Sequence, residues 1–316
     1  MTDKQKLLTL IIISLVFIFL FISAGLTWDN YQYFLYRRTP KVLAIVVAGI
    51  AIGIASFSFQ TITNNRILTP SIMGFDSLYL LIQSFIVVTV GGFSVWAINP
   101  FINFALSSLM MLGFSLILFA LYFRYSSRNI ISLLLLGVIF GQLFQSLSSF
   151  FMMLMDPDEF AIVQSNMFAS FNNVNVGLVY WTVPVLILIA VALFRYHNIL
   201  DVYLLDQDNC ISLGVDVKRT TRNILLLSAG MVAISTALVG PLLFFGLLVT
   251  NLTREWLRTY QHRMLLTCCA LMSVVALISG QWVVERLLGF QTTLSVVINF
   301  IGGVYFLYLL LRNKVV

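Results

Sequence analysis

The sequence predicts an all-α membrane protein with about ten transmembrane helices and an inverted internal repeat. Three observations carry that reading. Apolar residues make up 60% of the 316 and charged residues only 9%, and the mean hydropathy is +1.00. The apolar residues gather into ten separate runs, each near the length that crosses a hydrocarbon layer. The basic residues fall overwhelmingly on alternate connections between those runs.

The first run, Leu7–Leu26, follows Lys4 and Lys6. It is longer than the apolar part of a secretion signal, and Ser23-Ala24-Gly25 is a poor cleavage site, so it reads as a span. The second, Val42–Ile62, is opened by Arg38-Thr39-Pro40-Lys41 and runs into the polar segment Gln60–Asp76, which Pro70 and Gly74 break. In hydrocarbon an unpaired backbone group costs several kcal/mol, so broken backbone survives only inside protein or beside a wet cavity. This segment therefore reads as the wall of a pathway. Ser77–Val95 and Phe101–Tyr122 are the third and fourth spans.

The fifth span, Ile130–Met155, carries Gln142, Gln145, Ser146 and Ser149 at helical spacing. Such a polar stripe on an apolar helix suits a pathway wall or hydrogen bonding to a neighbouring helix. Asp156–Val176, with Asp156, Asp158, Glu159 and several Asn and Ser residues, reads as an external cap. After the sixth span, Val176–Phe194, comes the long polar stretch Asp201–Arg222. Asn223–Val239, Leu242–Leu257, Met264–Leu288 and Thr292–Leu311 complete the set, the eighth being short and polar at Thr250, Asn251 and Arg254.

An even number of crossings puts both termini on one face. Of the 18 basic residues only Arg37, Arg38, Lys41 and Arg286 fall on the other, so the termini are expected in the cytoplasm. The net charge of +6 then expresses orientation rather than affinity for nucleic acid. Cys210, Cys268 and Cys269 have neither metal-ligand spacing nor histidine company. His197 and His262 are the two imidazoles, and no Gly-x-x-x-x-Gly-Lys nucleotide loop occurs, so catalysis, a metal site and a cofactor in this chain are not expected. Arg38-Thr39-Pro40-Lys41-Val42-Leu43 leading to Ala48-Gly49 matches Arg219-Thr220-Thr221-Arg222-Asn223-Ile224 leading to Ala229-Gly230 without a gap. The first copy starts outside and the second inside, the mark of inverted-topology repeats with a path at their interface.

From Arg38-x-Pro40-Lys41 through Gln60, Asn65, Pro70 and Gly74 to Ser212-Leu213-Gly214-Val215, the chain resembles FecCD-type permeases. These are the membrane subunits of type II binding-protein-dependent ABC importers for iron-siderophores, haem and cobalamin. Asn65–Tyr79 is similar to the subgroup serving enterobactin, vibriobactin, anguibactin and petrobactin. The sequence departs from the commoner family pattern at Asn65-Arg66-Ile67-Leu68, Thr250–Arg254 and Gly289–Thr293, which fits pairing with a non-identical second permease.

The resemblance implies one transmembrane permease domain over 1–316 in the bacterial inner membrane, with ATP and Mg bound by partners. Those partners are a second, related permease, two ATPase subunits and a periplasmic or lipid-anchored binding protein delivering a ferric siderophore. It places a coupling loop at about 201–222, two short helices around a Gly turn, with Asp208, Ile211, Ser212, Leu213, Gly214 and Val215 facing the ATPase. Arg38, Lys41 and Arg286 become binding-protein docking residues, with membrane anchoring by snorkelling as the alternative. Gln60, Asn64, Asn65, Ile67, Ile131, Gln142, Gln145 and Ser149 become pathway or gate residues. Haem or cobalamin import is the alternative within the class. Outside it stands an ion-coupled secondary transporter, for which Asp76 and Glu285 are the carboxylates nearest the spans.

Overall fold

Fourteen helices order the described chain: α1 (Asp3–Ser23), α2 (Tyr31–Ile62), α3 (Phe75–Val90), α4 (Val95–Ile98), α5 (Pro100–Tyr125), α6 (Ile130–Met153), α7 (Pro157–Asn166), α8 (Val176–Phe194), α9 (His197–Tyr203), α10 (Gln207–Ser212), α11 (Val217–Val239), α12 (Phe245–Trp256), α13 (His262–Arg286) and α14 (Leu294–Leu311). The computed structural model describes residues 2–24, 31–125, 130–172, 174–205 and 207–311. The side chains at 124, 125, 130, 131, 207, 208 and 310 lie outside that set. Seven helices are long and apolar enough to cross a membrane, and α3 and α14 are shorter apolar helices. With the 12-residue α12 they account for all ten expected runs.

Local chemistry explains many of the ends. Thr2 and Gln5 form a reciprocal capping box at α1. Asn175 caps α8 through the Leu178 N–H at 3.2 Å, and Asp216 caps α11 through the Arg219 N–H at 3.0 Å. Two boundaries differ from the sequence reading. The helix α2 begins at Tyr31, not at the basic cluster, and carries Pro40 in its interior. Proline removes one backbone hydrogen bond and bends a helix, but the flanking turns continue it here. The cap over Asp156–Val176 contains a helix, α7, started by Pro157.

The core forms around α2 and α11, whose most hydrophobic stretches are 83% and 72% buried against 17% for α1. Lipid is as apolar as leucine, so helices associate in membranes through close packing and polar contacts rather than through burial alone. Gly49 and Gly53 provide that closeness between α2 and α13, since a β-carbon at Gly53 would lie 2.1 Å from Ser273 Oγ. Gly74 ends the broken segment with φ +87°, and a β-carbon there would lie 2.7 Å from Gly141 Cα on α6. Thr69, Pro70, Ser71 and Met73 are buried beside it, so this irregular stretch packs inside protein.

Packing repeats with a shift of five crossings. The second span (α2) meets the ninth (α13) as the seventh (α11) meets the fourth (α5). The third (α3) meets the fifth (α6) as the eighth (α12) meets the tenth (α14). Elements five crossings apart run in opposite directions, so the two halves form an inverted repeat, and α2 packs on α11 at its centre.

Candidate functional site

At the end of the bundle that carries the N-terminus, α2 finishes in a turn built from polar side chains. The N–H of Asn65 donates to Gln60 O at 3.1 Å and that of Asn64 to Thr61 O at 3.2 Å, while Asn64 takes φ +46°. This is a helix C-cap in which asparagine fills the left-handed position that glycine usually holds. The buried Gln60 then braces the outgoing loop, its Nε2 donating to Arg66 O at 2.7 Å, and Asn251 Nδ2 of α12 donates to the same carbonyl at 3.3 Å. Asn65 Oδ1 accepts from the Ile67 N–H at 2.9 Å.

The result is a cleft of about 440 Å³ lined by Gln60, Asn64, Asn65, Arg66, Leu204 and Arg254. A second cleft of about 260 Å³ shares Arg66, Leu204 and Arg254 with it and reaches His262. The Arg254 guanidinium carbon lies over the Phe57 ring, 4.5 Å from its centre, a cation–π contact. Three of the expected gate residues, Gln60, Asn64 and Asn65, are therefore brought together at one cavity with polar side chains in its wall. Ile67 is half-buried on the same loop. The Ile131 side chain lies outside the described residues.

Gln142, Gln145 and Ser149 are elsewhere. They sit on the surface face of α6, where Gln142 and Ser146 are exposed and Gln145 and Ser149 half-exposed among Ile139, Leu143 and Phe150. Ser148 turns inward instead, its hydroxyl 3.1 Å from that of Ser84 on α3. A stripe of amides and hydroxyls facing outward from an apolar helix is poorly matched to lipid tails. A second chain or a water-filled path against α6 would match it.

The 201–222 stretch projects from the N-terminal end of the bundle. Two short helices, α9 and α10, precede the glycine turn instead of flanking it. The Val215 N–H donates to Cys210 O at 3.0 Å and the Gly214 N–H to Ile211 O at 2.9 Å, with Gly214 at φ +82°. That double bond pattern around a left-handed residue fixes the turn. It leaves Ile211 and Leu213 61% and 62% exposed, while Val215 packs against the core. Leu204 and Leu205 extend the exposed apolar surface. Ser212 is exposed as well, and the Asp208 side chain lies outside the described residues.

Two side chains anchor this projection. Cys210 Sγ donates to Val202 O at 3.2 Å, and the Tyr203 hydroxyl donates to Val217 O at 3.0 Å while meeting Thr221 Oγ1 at 3.0 Å. Burial pushes the Tyr203 phenol above its ordinary range.

At the opposite end, Lys41 is turned inward to an ion pair with Glu285 and a hydrogen bond to Asn172. Gln281 Nε2 donates to both partners, at 2.9 Å to Glu285 and 3.0 Å to Asn172. Arg38 donates to the Ile22 carbonyl at 2.9 Å, and Arg286 to Ala24 O at 3.1 Å, so both arginines cap the carbonyl end of α1. Of these three basic residues Arg286 is the exposed one.

Sequence reasoning passed over a contact at the cleft end. His262, at the first turn of α13, lies between Asp201 of α9 and Thr61 of α2. The signal was a polar residue at the edge of each of three separate apolar runs, which does not reveal that the edges meet.

The FecCD transport family matches residues 6–312 of the chain. The chain is 47% identical over 314 residues to the petrobactin import system permease protein YclO of Bacillus subtilis (strain 168), covering 99% of each. It is 33% identical over 278 residues to the petrobactin import system permease protein FatC of Bacillus anthracis, covering 88% of this chain and 78% of that one. A solved structure of a metal-chelate type ABC transporter in an inward-facing conformation superposes with a TM-score of 0.85. It covers 98% of this chain and 100% of that one, and at 21% identity the likeness is one of fold.

Proposed function

Because the chain belongs to the FecCD transport family, we propose that it is the permease subunit of an importer for a ferric siderophore of the petrobactin class, powered by separate ATPase subunits. Near-full-length similarity to a petrobactin import permease supports the substrate class. The observation that carries the mechanism is the exposed apolar pair Ile211 and Leu213 on a hydrogen-bonded turn. Two large apolar side chains held out in water on a fixed turn suit burial in a cleft of a partner protein. That partner is the motor, and both termini lie with it in the cytoplasm.

The outward stripe on α6 supports a path shared with a second permease. Gln142, Gln145 and Ser149 form its wall on this side, and the Gln60–Ile67 turn with Ile131 narrows its cytoplasmic mouth. Hydroxyls and amides form weak, exchangeable contacts, which suits a chelate that must be released rather than held. At the outer face Arg286, with Arg38 and Lys41 behind it, meets carboxylates of a binding protein, a contact that sets orientation and on-rate. ATP and Mg belong to the motor subunits.

A specific observation keeps an ion-coupled mechanism as the second reading. Asp76 is 3% exposed at the head of α3, and among the described residues Ser71 is the one polar side chain that meets its carboxylate. Uptake of radiolabelled iron separates the readings. Iron-starved cells lacking this chain should lose ferric petrobactin uptake while keeping ferric hydroxamate and haem uptake. In proteoliposomes the assembled complex should import with ATP and not with an ion gradient. Gradient-driven import by the isolated chain would reverse the choice.

A further inference from the structure

We infer that Asp201, His262 and Thr61 form a hydrogen-bonded strut that transmits movement of the exposed α9–α10 element to the end of α2 and its cleft. The inference rests on the permease reading, and it assigns these three residues a positioning role in transport.

The strut is continuous. Asp201 Oδ1 on α9 accepts from the His262 backbone N–H at 2.6 Å and lies 2.7 Å from its Nδ1. The other ring nitrogen, Nε2, is 3.0 Å from Thr61 Oγ1 on α2. A carboxylate at Nδ1 favours the tautomer with the proton there, which leaves Nε2 as an acceptor that shares the Thr61 hydroxyl proton with the Phe57 carbonyl, 3.1 Å from Thr61 Oγ1. The His262 side chain is 1% exposed and sits edge-on to Phe57, 5.8 Å between ring centres.

Both ends of the strut are attached to moving parts of the proposed mechanism. At one end α9 carries α10 through the Cys210–Val202 contact, and α10 carries Ile211. At the other, the Thr61 carbonyl accepts the Asn64 N–H in the turn that shapes the cleft. A displacement of α9 that preserves these short bonds must shift α13, the last turn of α2, or both. Packing alone does not impose this. Apolar surfaces slide past one another with little directional preference, whereas a bond to imidazole fixes both distance and direction.

A purely structural role would need only part of the set, because Asp201 also caps α13 through the backbone N–H of His262. The imidazole-to-hydroxyl bond adds nothing to that cap. The decisive substitutions therefore break this bond and spare the cap. Thr61→Val keeps shape without the hydroxyl, Thr61→Ser keeps the hydroxyl, and His262→Asn retains a group near the Nδ1 position but cannot reach Thr61.

The complete importer, with its second permease, motor subunits and binding protein, is reconstituted in proteoliposomes, and chelate imported per ATP hydrolysed is measured beside the melting temperature of the assembled complex. Thr61→Val and His262→Asn should lower that ratio roughly tenfold, the scale of one lost hydrogen bond between two buried groups, and Thr61→Ser should restore it. Wild-type ratios in Thr61→Val and His262→Asn would overturn the strut. So would a defect in Thr61→Ser equal to that in Thr61→Val, or a loss of transport matched by an equal loss of assembled complex. Failure of the wild-type complex to import chelate with ATP would instead remove the permease reading beneath it.

Discussion

Lys41 and Glu285 form an ion pair that ties α2 to α13 at the end of the bundle away from the N-terminus, with both side chains only 15% exposed. Gln281 and Asn172 complete a hydrogen-bonded ring around them. Removing one partner from such a pair strands a desolvated charge, which costs more than the pair itself contributes. Lys41→Met should therefore destabilise the chain by roughly 3 kcal/mol. The double variant Lys41→Met with Glu285→Gln should recover a large part of that loss. Thermal unfolding in detergent of the two single variants and the double variant measures the coupling, and additive losses would show that the pair does not act as a unit.

Gly214 offers a different kind of test, because a β-carbon there would meet nothing within 4 Å among the described residues. Its φ of +82° nonetheless strains any L side chain by about 1–2 kcal/mol. Gly214→Asn should be mild, since asparagine tolerates this conformation, as Asn64 does at the end of α2. Gly214→Leu should insert in the membrane and assemble, yet abolish the binding-protein-stimulated ATPase by putting bulk where the motor is proposed to close. Undiminished stimulated ATPase in a stably inserted Gly214→Leu complex would remove this turn from the coupling contact.

The spans were legible because hydrocarbon thickness sets their length and apolar runs report it directly. The Gly214 turn was legible for a comparable reason, a residue type tied to one backbone geometry. The start of α2 was not, because Pro40 beside two basic residues looks like a helix start, and only tertiary context shows a helix continuing through it. Lys41 was read as facing a partner because its neutralising Glu285 lies 244 residues along the chain. The Asp201–His262–Thr61 contact was illegible for the same reason. It joins three helix ends whose proximity is a product of the fold, and no local pattern encodes it.

The stripe on α6 predicts a labelling pattern. Cys210, Cys268 and Cys269 are all buried, so the native background to a membrane-impermeant thiol reagent should be low. Cysteines placed at Gln142, Ser146 and Ser149 in the assembled importer should react, and a cysteine at the lipid-like position Leu135 should not. ATP with binding protein should change the reactive rates at least threefold if the stripe lines a path that opens and closes, a population shift of about 0.7 kcal/mol. Equal reactivity at all four positions, unaffected by ATP, would place the stripe outside the path.

Asp76 decides between motor and ion coupling. A carboxylate held at 3% exposure with no basic partner among the described residues is expensive to keep charged in a membrane. In an ion-coupled carrier such a group is retained because it binds and releases the driving ion, so Asp76→Asn would stop transport. In an ATP-driven permease the site needs only the shape of the side chain where α3 begins. Asparagine keeps that shape, and Asp76→Asn should then preserve at least about half of the ATP-driven uptake, a change within 0.5 kcal/mol, with equal or higher thermal stability. Measured in proteoliposomes with ATP inside and no ion gradient, uptake near wild type would exclude Asp76 as an ion carrier. Complete loss of uptake with assembly and stimulated ATPase intact would make it one.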